Sequence, residues 1–367
     1  MNVKSKIKVG ILGATGMVGQ RLIFLLKNHP WFTVTCLAAS DKSAGKTYEE
    51  AVYERWTQKN SIPKNIAKLK VFSIERDMNV IVQMSDFLFS AINADKNFIR
   101  NIEEMYASLG LPVVSNNSAH RWTEDVPMII PEINFNHLDI IPIQRKKRAW
   151  IEGFIVTKPN CSIQSYVPLL HAWKNFNPEQ VIVSTYQAIS GAGKTFKTWP
   201  EMNDNIIPYI GGEEEKSEKE PSKILGEIKK GKFVLAKTPK ISANCVRVPV
   251  SDGHMATINI KFKRKVSKEQ LVKALKNFKN PLEKLNLPSA PKPFLTYFKE
   301  DNRPQTGLDR DLHDGMGISI GRIREDSVLS WKCVALSHNT IRGAAGGSVL
   351  TAELLVKKGY IKKMAKR

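Results

Sequence analysis

Ile7-Lys8-Val9-Gly10-Ile11-Leu12-Gly13-Ala14-Thr15-Gly16-Met17-Val18-Gly19 decides the fold. The apolar run up to Leu12 reads as a buried strand, and Leu22-Ile23-Phe24-Leu25-Leu26 as the helix that follows. Strand, glycine turn and helix are the context of a dinucleotide fingerprint. Glycines let the backbone approach a pyrophosphate, and the helix N-terminus offers it N–H donors. The spacing is GxxGxxG rather than GxGxxG, so a glycine turn without a ligand is the competing reading.

Working outward, Phe32-Thr33-Val34-Thr35-Cys36-Leu37-Ala38-Ala39 is a second strand. Where an NAD site usually places an acid, its tip carries Ser40, then Asp41, Lys42, Ser43 and Lys46. Hydroxyls and cations suit a 2′-phosphate, which points to NADP, although Asp41 stands close. Asp86-Phe87-Leu88-Phe89-Ser90-Ala91 and Leu111-Pro112-Val113-Val114-Ser115 are further strands, joined by a helix over 98–109. This alternation predicts a Rossmann-type, doubly wound parallel sheet. Ser115 to Arg121 then follows a strand's C-terminal end, where such sheets bind ligands. Residues 126–132 read as a last short strand.

Beyond Cys161 the pattern changes. Strands over 181–190, 243–250, 255–263, 317–323 and 328–337, with a capping box at Ser267-Lys268-Glu269-Gln270, predict an α+β domain with a mostly antiparallel sheet. A helix over 349–358 should pack back on the first domain. The expected domains are therefore 1–157 with 339–367, and 158–338.

Composition narrows the function. The 367 residues suffice for two domains, and 42% hydrophobic with 25% charged residues is a globular balance. No apolar run is long enough to span a membrane. Met1-Asn2-Val3-Lys4-Ser5-Lys6 passes into the first strand without a secretory leader, so a cytoplasmic location is expected. Cys36, Cys161, Cys245 and Cys333 lack CxxC spacing, which fits a reducing compartment and no structural zinc. The net charge of +21 admits nucleic acid, but the basic residues are scattered. Their only tight run, Arg145-Lys146-Lys147-Arg148, reads as a solvated loop. Anionic small molecules use such a charge better.

The chemistry centres on Lys158-Pro159-Asn160-Cys161-Ser162-Ile163-Gln164, between an apolar strand and a helix-like run over 165–173. Pro159 sets a turn, and Asn160 or Ser162 can cap a helix. Cys161 at that helix's start should ionise easily and act as a nucleophile, the alternative being a small buried thiol. Arg247-Val248-Pro249-Val250-Ser251-Asp252-Gly253-His254 supplies a proton partner in His254 and a carboxylate fork in Arg247. Gln187, ending its strand, is placed to bond a reacting group or to cap the sheet. Ala188-Ile189-Ser190-Gly191-Ala192-Gly193-Lys194-Thr195 approaches a P-loop but has Ala188 where that motif needs glycine.

These motifs together resemble aspartate-β-semialdehyde dehydrogenase over nearly the whole chain. Carrying the resemblance are the Gly13–Gly19 turn (13–19), Ser115-Asn116 through Arg121, Pro159-Asn160-Cys161-Ser162, the stretch from Gln187 to Gly193, Glu213-Glu214-Glu215-Lys216, the stretch from Arg247 to His254, and Asn339-Thr340-Ile341-Arg342-Gly343-Ala344-Ala345-Gly346. The Asn-Ser-Ala-His-Arg and Asp-Gly-His versions look archaeal or fungal. The resemblance implies Cys161 as nucleophile, His254 as acid and base, and Gln187 orienting the acyl group. Arg247 and Glu213 would bind the amino acid, with Glu214 and Glu215 as alternatives to Glu213. Arg121, Asn116 and Lys216 would hold phosphate. Gly13, Thr15, Gly16, Met17, Val18, Ser40, Lys42, Ser43, Ser190, Gly191 and Asn339 would line the NADP site.

The implied reaction is reversible: reductive dephosphorylation of aspartyl phosphate to aspartate semialdehyde through a Cys161 thioester, toward diaminopimelate, lysine, threonine and methionine. A homodimer or homotetramer is implied, with the second sheet as interface. A malonyl-CoA reductase-like enzyme is the nearest rival. A nucleic-acid-binding module and a cysteine hydrolase are more distant ones.

Overall fold

The computed structural model describes residues 6–58 and 60–363. The reading of residues 1–5 as lacking a leader lies outside them. Two six-stranded sheets organise the chain. The first contains β1 (Ile7–Leu12), β2 (Phe32–Ala39), β3 (Val71–Ser73), β4 (Phe87–Ser90), β5 (Pro112–Ser115) and β6 (Phe154–Thr157). Its order is β3-β2-β1-β4-β5-β6, and every pairing is parallel. β4, β5 and β6 are buried along their whole length, as a sheet covered on both faces requires.

Helix α1 (Met17–Leu26) covers one face through Leu22, Ile23 and Leu26. α2 (Lys96–Ser108), capped by Asp95, covers the other through Ile99, Ile102 and Tyr106. The strand order reverses between β1 and β4, so the crevice beyond their C-terminal ends is the ligand position.

The second sheet contains β7 (Pro178–Gln187), β10 (Lys240–Arg247), β11 (His254–Phe262), β12 (Leu295–Tyr297), β13 (Ile318–Glu325) and β14 (Trp331–Ser337). A small hairpin, β8 (Glu227–Lys229) and β9 (Lys232–Val234), stands apart from it. The order is β10-β7-β11-β14-β13-β12. The central pairings are antiparallel and the two edge pairings, β10 with β7 and β12 with β13, are parallel, so the sheet is mixed. Alternate residues of β7 are buried, and Val181 and Val183 join a core with Ile258, Ile260 and Leu271. α3 (Glu213–Ile224) packs beside β10, and α4 (Lys268–Lys276) starts from the expected Ser267–Gln270 capping box. α5 (Gly346–Lys357) returns to the first core, where Val349, Leu350 and Leu354 meet Leu22 and Phe154.

Three local expectations are corrected. Residues 126–132 form no strand: Met128 alone bridges Thr157, and Pro131 opens a helical turn, Pro131–Asn134. Asn134 Oδ1 takes the Ile130 N–H that a ladder would have used. The basic run is not a loop but ends the helix Ile141–Arg148. Cations suit a helix C-terminus, and Arg148 also pairs with Asp125 and Glu104. Cys161 precedes a single 3-10 turn, Ser162–Ser165, and the α-helix begins only at Val167. The P-loop-like stretch also ends in a short 3-10 turn, Ile189–Ala192, with no helix behind it.

Candidate active site

The turn after β1 takes the geometry that its glycines permit. Gly13 has φ +79°, and a Cβ there would lie 2.3 Å from the Ala91 carbonyl oxygen. That left-handed backbone and that contact both require glycine. Gly16 caps α1, so Met17 and Val18 present the first-turn amides. Thr15 lies between, its carbonyl accepting from Gln20 Nε2. Ser40 and Lys42 are exposed just beyond β2. Ser43 is buried and accepts from Arg55 at 3.5 Å. Asp41 turns to Arg76, at 2.9 Å, which offsets the charge that would repel a 2′-phosphate. The residues present fit a dinucleotide with a 2′-phosphate.

Cys161 stands at the seam of the two domains. A Cβ on Gly343 would fall 2.7 Å from its own Cβ, so the turn before α5 closes over it. Around it the second domain assembles a polar seat. Glu213, first residue of α3, accepts from Asn160 Nδ2 at both carboxylate oxygens (2.9 and 2.8 Å), from Lys216 (2.7 Å) and from Gln187 (3.3 Å). Glu214 instead accepts the Cys245 amide from β10, so Glu213 is the carboxylate that faces the cysteine. Burial resists its charge, but Lys216 and these donors hold its pKa below the usual carboxylate value.

His254, the first residue of β11, is fully buried, and its Nδ1 accepts the Ala188 amide at 3.0 Å. Its Nε2 has no partner. Arg247, ending β10, donates to the Ala188 carbonyl at 2.7 Å. A Cβ on Gly191 would meet both Arg247 Nη1, at 2.9 Å, and His254 Nε2, at 3.0 Å. The two side chains therefore converge over a residue that must stay bare. Asn339 joins the network, donating to Ser190 Oγ at 2.8 Å and accepting the Gly253 amide at 2.8 Å.

Arg121 donates to Glu220, to the Lys158 carbonyl and to the Asn116 carbonyl. Glu220 also accepts the Asn160 amide, which holds the loop before Cys161 in place. Asn116 leaves its Nδ2 buried without a partner. The expected residues thus gather in two connected places, the turn after β1 and the seam around Cys161.

One expectation about ionisation is overturned. Burial, then Glu213, pushes the Cys161 thiol up to about 11, so in the free protein it is protonated. Burial, then Arg247, lowers His254 to about 3, so the imidazole is neutral at physiological pH. Arg121, Lys158 and Arg247 oppose the rise at Cys161 without cancelling it. Glu220, Glu132 and Lys158 were missed as members of this site. Glu132 pairs with both nitrogens of Arg342 at 2.6 Å behind the cysteine. Lys158 alone carried a legible signal, a lysine within an otherwise apolar approach to Cys161.

A doubly wound parallel-sheet domain joined to a mixed-sheet domain, with a cysteine and a histidine at their seam, has the layout of a dehydrogenase. The semialdehyde dehydrogenase NAD binding domain matches residues 8–141, and the semialdehyde dehydrogenase dimerisation domain matches residues 167–342. An aspartate-semialdehyde dehydrogenase of Archaeoglobus fulgidus is 43% identical over 97% of this chain and 100% of its own. That of Saccharomyces cerevisiae is 42% identical over 96% of this chain and 98% of its own. The crystal structure of the Candida albicans enzyme with NADP superposes with a TM-score of 0.86 at 39% identity, covering 97% of this chain and 100% of that one. The chain belongs to the aspartate-semialdehyde dehydrogenase family.

Proposed function

We propose that the protein catalyses the reversible, NADP-dependent conversion of aspartyl phosphate to aspartate semialdehyde and phosphate, and so serves amino-acid biosynthesis. The convergence of Cys161, Glu213, Arg247 and His254 at the domain seam carries the reading. In the oxidative direction Cys161 Sγ attacks the aldehyde carbon as its thiol proton passes to the neutral His254 imidazole. The unpartnered His254 Nε2 is the group positioned to bond the resulting oxygen. Glu213 takes the substrate amine and Arg247 its carboxylate, whose opposite charges match those groups. Gln187 Nε2, already at Glu213, orients the acyl group. NADP⁺, when bound, supplies the hydride acceptor. Gly13, Thr15, Gly16, Met17 and Val18 would hold its pyrophosphate, and Ser40, Lys42 and Ser43 its 2′-phosphate. Ser190, Gly191 and Asn339 would stand toward the nicotinamide. Arg121, Asn116 and Lys216 would address phosphate, which releases the thioester as aspartyl phosphate.

We take residues 1–157 with 339–367 as the nucleotide-binding unit and 158–338 as the substrate and dimerisation unit, because α5 packs on the first sheet. Among the described residues no helix is long and apolar enough to cross a membrane. Free cysteines throughout support a reducing, cytoplasmic setting. The outer face of the second sheet exposes Ile182 and Tyr186 from β7, and Ile206 and Tyr209 are exposed on either side of Ile207, which bridges Arg247 at the end of β10. We assign this face to pairing with a second copy, in a homodimer or a homotetramer.

The decisive experiment follows NADPH formation from aspartate semialdehyde with and without phosphate, and repeats it with NAD⁺. Phosphate-dependent NADPH formation is expected. Turnover of malonyl-CoA, with none of aspartate semialdehyde, would replace this reading with the acyl-CoA reductase.

A further inference from the structure

Lys158 sits beside Cys161 in the sequence and has no part in the mechanism above. It follows β6, and its amide donates to the Ser115 carbonyl at 2.8 Å. The side chain is 4% exposed. Its Nζ has no hydrogen bond or ion pair to any described residue. The other cations around the cysteine are engaged. Arg121 meets Glu220, Lys216 meets Glu213, Arg342 meets Glu132, and Arg247 meets the Ala188 carbonyl. A buried ammonium without a counter-charge is unfavourable. Burial and the neighbouring Arg342 indeed drive the Lys158 amine well below the usual lysine range. An arriving anion would reverse that.

A second orphan lies close by. Lys158 Nζ is 2.7 Å from where a Cβ on Gly347 would stand. The next residue, Ser348, donates to Asn116 Oδ1 at 3.0 Å, and Asn116 Nδ2 is buried and unpartnered. Two unsatisfied N–H donors, the Lys158 amine and the Asn116 amide, thus flank the first turn of α5. The helix dipole adds positive potential there. Cys161 belongs to the same corner, since Gly343, just before α5, packs on its Cβ.

We propose that Lys158 is a phosphate ligand of this site, receiving with Asn116 Nδ2 the oxygens of the phosphoryl group that exchanges with the Cys161 thioester. This rests on the acyl-phosphate reading above. One phosphate oxygen forms the new C–O bond as the C–S bond breaks, and the electron pair leaves on Cys161 Sγ. Lys158 and Asn116 hold the remaining oxygens, which keep their charge. Lys216 and Arg121, tied to Glu213 and Glu220 in the free protein, would leave Lys158 as the cation available when phosphate arrives.

The test begins with the wild-type enzyme. Absence of phosphate-dependent turnover there overturns the function itself, whatever Lys158 does. Given that activity, Lys158→Met keeps the length and removes the charge. Its KM for phosphate should rise about tenfold or more, with KM for NADP⁺ and semialdehyde nearly unchanged. A rise confined to NADP⁺ would assign Lys158 to the coenzyme's phosphates and overturn the proposal, as would no change in any constant. Should K158M turn over too slowly to measure, phosphate protection of Cys161 against iodoacetamide gives a second reading. K158M should need about tenfold or more phosphate for the wild-type degree of protection. Equal protection in the two proteins overturns the proposal.

Discussion

Around Gly13 the protein presents backbone to the crevice, and around Cys161 it presents side chains drawn from distant parts of the chain. The turn after β1 lies between two elements adjacent in sequence. Its requirements are a left-handed φ at Gly13, close approach to Ala91 and free amides at the start of α1. The cysteine pocket needs Asn160, Gln187, Glu213, Arg247, His254 and Gly343, which come from six separate segments. A backbone site tolerates varied side chains but not a Cβ in the wrong place. A side-chain site depends on each partner in turn, because removing one leaves buried polar groups unpaired.

The largest effect should come from the nucleophile. Cys161→Ser is expected to lower turnover at least about 10⁴-fold while NADP⁺ binding, followed by quenching of tryptophan fluorescence, is retained. Wild-type turnover in C161S would remove the covalent mechanism. His254→Asn should cost about 10² to 10⁴-fold in kcat with little change in KM for NADP⁺. A rise in KM for NADP⁺ alone would move His254 out of the cysteine pocket and into the coenzyme site.

The backbone half breaks differently. Gly13→Ala should destabilise the protein by about 1–3 kcal/mol through its strained φ and the clash with Ala91, and weaken NADP⁺ binding. Alkylation of Cys161 in the same variant should be unaltered. A changed rate of alkylation would show that the two halves are mechanically joined.

The last effect expected is on acid stability. His254 is lowered to about 3, and His171 and His338 to about 4, first by burial in each case. The folded state therefore binds fewer protons than the unfolded one, whose histidines titrate near ~6.5. The stability is fully present above that value and is lost as pH falls toward 4 and then 3. Each histidine contributes at most about 1.4 kcal/mol per pH unit in that window. Urea midpoints measured from pH 7 down to 5 should fall steadily, and a flat profile would mean that these imidazoles are open to water.

What could be read without coordinates follows the same division. Gly13, Gly16 and the capping box at Ser267 were legible because each requirement is local: a φ, an amide, a side chain three residues away. Strand periodicity likewise identified most of both sheets, but not the three-residue edge strands β3 and β12, and the bounds of β7, β10 and β14 are displaced by a few residues. The run 126–132 misled because its apolar content is that of a strand, while Pro131 and Asn134 take away the ladder bonds. The basic run misled because its partners, Asp125 and Glu104, lie far back in the chain.

By itself the sequence determined the glycine turn, the parallel sheet behind it, and which cysteine, histidine and arginine we propose for the chemistry. Only the tertiary structure decided that Glu213 rather than Glu214 faces the cysteine, that the Cys161 thiol is raised instead of lowered, and that Lys158 stands without a partner. The physical reason is the range of the forces. Backbone conformation and periodicity are set by neighbours in sequence, whereas burial and charge depend on whatever the fold brings within a few ångströms.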